Sequence, residues 1–229
     1  MCIAIYKPKE SEITKNTLKT CWESNPHGAG LMYAINGKVK IAKELKSFKR
    51  FLRQFREHEK AGADMVIHFR IMTHGKLDFR NTHPHRVNKD TWLVHNGIIS
   101  EHCYKNASLS DTVKFCKMIA GLPQDFMKNR ATLNLISGYI DTDKMILLNR
   151  QGKIQIINED LGVWDGGVWY SNQSYETVKM SKWYDSARYY SPYGDDTECI
   201  FCQVSLSPKE TKTGICEFCE SRTETRIAN

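Results

Sequence analysis

Apolar positions along this 229-residue chain follow two spacings in turn. Cys2-Ile3-Ala4-Ile5-Tyr6 is a short continuous apolar run and predicts a strand. Residues 12–22 place Leu18, Cys21 and Trp22 on one side of a helix, which Pro26 and the glycines Gly28 and Gly30 bring to a turn. Residues 31–35 and 39–42 flank Asn36-Gly37, where both positions tolerate positive φ, and predict a hairpin. Residues 47–60 predict a helix with Phe48, Phe51, Leu52 and Phe55 on one face and Gly62 just past its end. Residues 65–70 and 91–94 read as strands; the first runs into a polar loop, 73–86, and the second stops at His95-Asn96-Gly97. Ser110 is placed to cap a helix over 111–120, with Val113, Cys116 and Ile119 inward. Residues 144–148 and 153–157 form a second hairpin across Gln151-Gly152, followed by a strand at 168–171 and a short helix at 174–183. The mixed order of elements and the hairpins together imply an α+β fold with antiparallel pairing.

Composition narrows the picture. Apolar residues make up 41% and charged residues 26%, the balance of a globular chain rather than a disordered one. No run approaches the roughly 18 to 20 apolar residues of a membrane helix. The apolar start is too short for a signal peptide, so no membrane partner and a cytoplasmic location are expected. Net charge is +7. One basic cluster, Lys46, Lys49, Arg50, Arg53, Arg56 and Lys60, reads most simply as a solvated helix face, with nucleic-acid affinity as the sharper alternative. Tryptophans 22, 92, 164, 169 and 183 are expected in the core or at its rim, and His68 as a core histidine.

The candidate chemistry starts at Cys2. Removal of Met1 would expose a residue bearing both a thiol and a free α-amine. An amine with a pKa of roughly 7.7–8.0 can serve as a built-in base for that thiol. By itself a cysteine in a strand is more often a small buried apolar residue. Further along, Arg70 stands at a strand end, where its fork suits a carboxylate ligand. The Asn96 amide beside the Gly97 N–H has the make-up of an oxyanion hole. Asp111 follows Ser110 at a helix start, fit either to hold an ammonium group or simply to complement the helix dipole.

Taken in order, Cys2, Asn25-Pro26-His27-Gly28-Ala29-Gly30, Arg70-x-x-Thr73-His74-Gly75, His83-Pro84, His95-Asn96-Gly97 and Ser110-Asp111-Thr112 resemble the glutaminase domain of class II glutamine amidotransferases. That family lies within the N-terminal nucleophile hydrolases. The resemblance covers roughly residues 2–172, and residues 167–172 are similar to the family's closing strand. It implies a four-layer αββα sandwich of two antiparallel sheets. It also implies that Cys2 attacks the side-chain amide of L-glutamine, with Asn96 and Gly97 stabilising the oxyanion. Arg70 would then bind the substrate carboxylate, with Thr73 and His74 nearby, and Asp111 its ammonium; no cofactor is needed. Ile3 departs from the glycine most members carry after the nucleophile. The 57 residues (229 − 172) beyond Asn172 are too few for the synthase domain that usually consumes the ammonia, so an ammonia-accepting partner protein is expected. A stand-alone hydrolase of γ-glutamyl amides is the second reading. A non-catalytic binding protein on the same fold is the third.

The expected organisation is an amidotransferase domain at 2–183, a linker at 184–197, a zinc-ribbon-like segment at 198–221 and a disordered tail at 222–229. Cys199-x-x-Cys202 and Cys216-x-x-Cys219 form two pairs with the spacing of a tetrahedral Zn²⁺ site. A segment this short needs such a staple to fold. Between Glu198 and Glu220 the charge is net negative, which favours protein docking over nucleic-acid binding by this segment.

Overall fold

The computed structural model describes residues 2–72, 76–99 and 108–176, together with Ser207. Two compact units divide the chain, Met1–Thr177 and Val178–Asn229. The expected linker, zinc-ribbon-like segment and tail lie outside the described residues. So do Thr73, His74 and the four paired cysteines.

Ten strands, four α-helices and two single-turn 3-10 helices make up the described part of the first unit. In chain order the strands and α-helices are β1 (Ile3–Lys7), α1 (Lys15–Ser24), β2 (Ala29–Ile35), β3 (Lys38–Glu44), α2 (Phe48–Glu59), β4 (Met65–Phe69), β5 (His85–Arg86), β6 (Thr91–Asn96), α3 (Asp111–Ile119), α4 (Arg130–Ile140), β7 (Lys144–Asn149), β8 (Ile154–Ile157), β9 (Val163–Asp165) and β10 (Val168–Tyr170). A six-stranded sheet runs β3-β2-β4-β1-β10-β9 and a four-stranded sheet β5-β6-β7-β8. Every pairing in both is antiparallel.

Alternation along the strands builds the layers. Ala4, Met32, Val66 and Trp169 of the large sheet meet Val94, Ile146, Leu148 and Ile156 of the small one in a shared core. The opposite face of the large sheet (Ile3, Ile5, Leu31, Ile67, Phe69) packs on Leu18 and Cys21 of α1 and on Phe51 and Phe55 of α2. Leu93, Met145 and Leu147 of the small sheet pack on Phe115 and Ile119 of α3 and on Ile136 and Ile140 of α4. The order is helix, sheet, sheet, helix, the α+β sandwich that the resemblance implies.

Several expected features are present. Asn36 and Gly37 both take positive φ in the β2–β3 turn. The Ser47 and Ser110 hydroxyls accept from Arg50 N and Val113 N and cap α2 and α3. Others differ. β6 does not stop before His95-Asn96 but includes both residues. In α3 the buried face is Asp111, Thr112, Phe115, Cys116 and Ile119, with Val113 only half-buried. Residues 174–176 form a turn rather than a helix start. Helix α4 and strands β5 and β9 had no counterpart in the pattern reading.

Candidate functional site

Antiparallel pairing places the start of β1 beside the ends of both its neighbours. Ile3 faces Phe69 of β4, and Ile5 faces Tyr170 of β10. Cys2, Arg70 and Ser171, each one residue beyond a strand, are therefore gathered at one end of the large sheet. The end of β6 adds Asn96 and Gly97, and the first residue of α3 adds Asp111.

The Cys2 thiol is held by backbone. Ile71 N–H donates to Sγ at 3.3 Å, and Sγ lies 3.3 Å from the Ile71 carbonyl oxygen, to which the S–H can donate. The Cys2 carbonyl accepts from Asn172 Nδ2 at 2.7 Å. Burial pushes the thiol pKa up, while the Ile71 N–H and the Arg70 guanidinium pull it down and the Asp111 carboxylate pushes it up. Both charged groups of the expected substrate clamp thus lie within electrostatic reach of the sulfur.

Arg70 is 3% exposed. Its Nη1 donates to the Lys76 carbonyl at 3.2 Å. Burial lowers the guanidinium pKa, against the opposing pull of Cys2, Asp78 and Asp111. Asp111 is buried at the start of α3 and accepts from Ile99 N–H at 2.8 Å, which ties the helix to the turn after Gly97.

Asn96 bridges the two sheets. Its Nδ2 donates to Ser171 Oγ at 2.8 Å, and Ser171 Oγ in turn accepts from Ala4 N–H at 2.9 Å. Among the described residues, the buried Asn96 Oδ1 has no hydrogen-bond partner. Gly97 has φ +151°, and a Cβ there would fall 1.8 Å from Asp143 Cγ. Only glycine fits.

Sequence reading missed the layer behind these residues. His95 is buried between two partners: Nε2 lies 3.0 Å from Asp143 Oδ2, and Nδ1 lies 3.1 Å from Thr112 Oγ1. Asp143, set against Gly97, thus connects through His95 to Thr112, the neighbour of Asp111. Asn158 Nδ2 donates to the Asp143 carbonyl at 2.7 Å and anchors that corner. Asp143 reads in sequence as part of an ordinary turn, Asp141-Thr142-Asp143, and carries no local signal. Ser171 and Asn172 fall inside the stretch similar to the family's closing strand, the one available hint.

With that geometry in place, comparison with known proteins is informative. No family model matches the chain. The isomerizing glutamine–fructose-6-phosphate aminotransferase of Shewanella oneidensis is 30% identical over 126 residues, which are 51% of this chain and 21% of that protein. Over about half of its length the chain is thus similar to a glutamine-dependent aminotransferase. It spans only about a fifth of the length of this curated amidotransferase. A solved structure of the glutamine phosphoribosylpyrophosphate amidotransferase of B. subtilis, complexed with ADP and GMP, covers 74% of the chain at 13% identity with a TM-score of 0.45. The match covers 41% of that second amidotransferase.

A second cluster lies next to the site. His68, two residues before Arg70, packs at a tilt against His83 (ring centroids 4.0 Å apart), and His83 against His85 (4.4 Å). All three are buried. Burial holds His68 down at about 3 and the other two well below the ordinary histidine value. They are neutral core residues at working pH. Among the described residues no group of histidine, cysteine and carboxylate side chains is arranged to hold a metal ion. Nor is any described helix long and apolar enough to cross a membrane.

Proposed function

We propose that this chain hydrolyses the side-chain amide of glutamine and passes the ammonia to a separate acceptor protein. The observation that carries this is the meeting of five chain segments at one end of the sandwich. There the Cys2 thiol lies on the Ile71 N–H, within electrostatic reach of Arg70 and Asp111. One fixed guanidinium and one fixed carboxylate suit the two ends of an α-amino acid. The thiol stands where the substrate's far end would lie.

In this reading Sγ attacks the amide carbon as the free α-amine of Cys2, exposed by removal of Met1, takes the thiol proton. The tetrahedral oxyanion forms beside Asn96 and Gly97. The Asn96 amide, rotated half a turn, keeps its bond to Ser171: the hydroxyl then donates to Oδ1, because Ser171 Oγ already accepts from Ala4 N–H. The Nδ2 hydrogens are then free for the oxyanion, together with the Gly97 N–H. Collapse returns the proton to nitrogen, releases ammonia and leaves a thioester. Water then adds to the thioester, and glutamate leaves as the thiol is restored. Thr73 and His74, which follow Arg70 in sequence, are assigned to substrate binding in the same reading.

A glutamate-release assay on wild type and Cys2→Ala tests this, alongside intact mass spectrometry with a diazo-ketone glutamine analogue. Wild type is expected to lose Met1, gain one adduct and release glutamate; the variant is expected to do neither of the last two. Equal turnover by the variant would remove the proposal. Ammonia captured only with a second protein present distinguishes transfer from simple hydrolysis. Separately, the donor set of Cys199, Cys202, Cys216 and Cys219 fits a structural Zn²⁺. Metal analysis is expected to give one zinc per chain, reduced by Cys199→Ser.

A further inference from the structure

Helix α2 carries Lys49, Arg53 and Arg56, and its C-cap is Lys60; the steps of four, three and four residues put all four along one face. All are exposed. With Lys15, the exposed first residue of α1, they line an open groove of about 590 Å³ whose remaining lining is Leu52 and Glu57. Five cations and one carboxylate line this groove, and Lys15 and Arg56 also line the adjoining pocket with Glu12 and Glu59. Among the described residues none of the five takes part in an ion pair, whereas their neighbours do. Arg50 pairs with Glu44, Lys7 with Glu59 and Lys19 with Glu23. Like charges held this close repel one another, so their company is a cost to the fold that an anionic partner would relieve.

We propose that this groove binds the phosphate backbone of double-stranded DNA without reading its sequence. From Lys49 to Lys60 the helix rises about 16 Å, at 1.5 Å per residue. One DNA strand passes roughly five phosphates in that length, at 3.4 Å each. The groove has no aromatic side chain, which argues against single strands, because their binders stack bases on aromatic rings. It has no amide or hydroxyl side chain to reach base edges or a ribose hydroxyl. It also lacks the aromatic anchor around which protein interfaces concentrate their energy, which argues against an acidic polypeptide. What it offers is a line of charge.

The test is fluorescence anisotropy of the full chain with a labelled 20-base-pair duplex across a salt series. Neutralising four to five phosphates gives a slope of log K against log salt near −4. The triple variant Lys49→Glu, Arg53→Glu, Arg56→Glu is expected to lose at least about a hundredfold in affinity at low salt with an unchanged circular-dichroism spectrum. A control with the same charge change at the exposed Lys38, Lys40 and Lys117 is expected to keep most of its binding. Three results would each overturn the assignment: no duplex binding at low salt, equal losses in the two variants, or tighter binding of a single-stranded 20-mer or of poly-glutamate. Because the readout is binding alone, it stands or falls independently of the glutaminase chemistry.

Discussion

At the scale of single residues, Gly97 is the most constrained position in the site. Its φ of +151° is open to glycine, and the Asp143 carboxylate fills the space a methyl group would need. Gly97→Ala therefore has to displace either the turn or Asp143. We expect kcat for glutamine hydrolysis to fall by roughly 10² to 10³, the range for losing one oxyanion donor. Asp143 acts one step further back. It meets His95 Nε2 at 3.0 Å, and His95 Nδ1 meets Thr112 Oγ1 at 3.1 Å. Asp143→Asn weakens the tie to His95 and loosens Gly97. A fall in kcat of roughly ten- to a hundredfold is expected, as for a sub-ångström misplacement of reacting groups, with KM changed much less. A changed KM at constant kcat would place Asp143 outside this role.

At the scale of elements, α2 is fastened by its aromatic face. Phe51 is fully buried, 5.0 Å from the Phe69 ring and 6.2 Å from that of Trp22. Phe51→Ala is expected to cost about 3–5 kcal/mol in urea unfolding, the range for a large ring removed from a packed core. This helix was legible in sequence because one stripe carries nearly all its apolar residues. The two hairpins were legible because Asn36-Gly37 and Gln151-Gly152 mark their turns. Helix α4 was not. It places Leu135 in solvent at 75% exposure and Gly138 in its interior, so its apolar residues define no single face. Packing of Ile136 and Ile140 on the small sheet, with Asn129 as cap, decides the matter instead. Strand β9 is three residues long with an exposed tryptophan, too little for a period to register. The site divides in the same way. Cys2, Arg70, Asn96, Gly97 and Asp111 stand in short local motifs. The links from His95 to Thr112 and Asp143 join residues 17 and 48 positions apart, which no local pattern encodes.

At the scale of the whole molecule, the three packed histidines link stability to acidity. In the folded chain His68 titrates near 3, and His83 and His85 well below the ordinary value of 6.5. Unfolded, each takes up a proton near 6.5. Between those values the unfolded state binds more protons, so stability is complete above about pH 6.5 and declines as pH falls. Each of the three histidines adds to the loss as pH falls below 6.5. Melting curves across that window should show a steep drop, and His68→Gln should show a shallower one; a flat profile for the wild type would contradict the neutral cluster. The strand order of the large sheet has a consequence for how the chain is made. β1 is flanked by β4 and β10, so one of its edges is completed only by residues 168–170, far later in the chain. At roughly 5–20 residues per second, that flank waits about ten to thirty seconds for its neighbour. Translation must run almost to the end of the first unit before β1, the strand next to Cys2, is enclosed on both sides, so a chain broken off before residue 168 leaves that edge open.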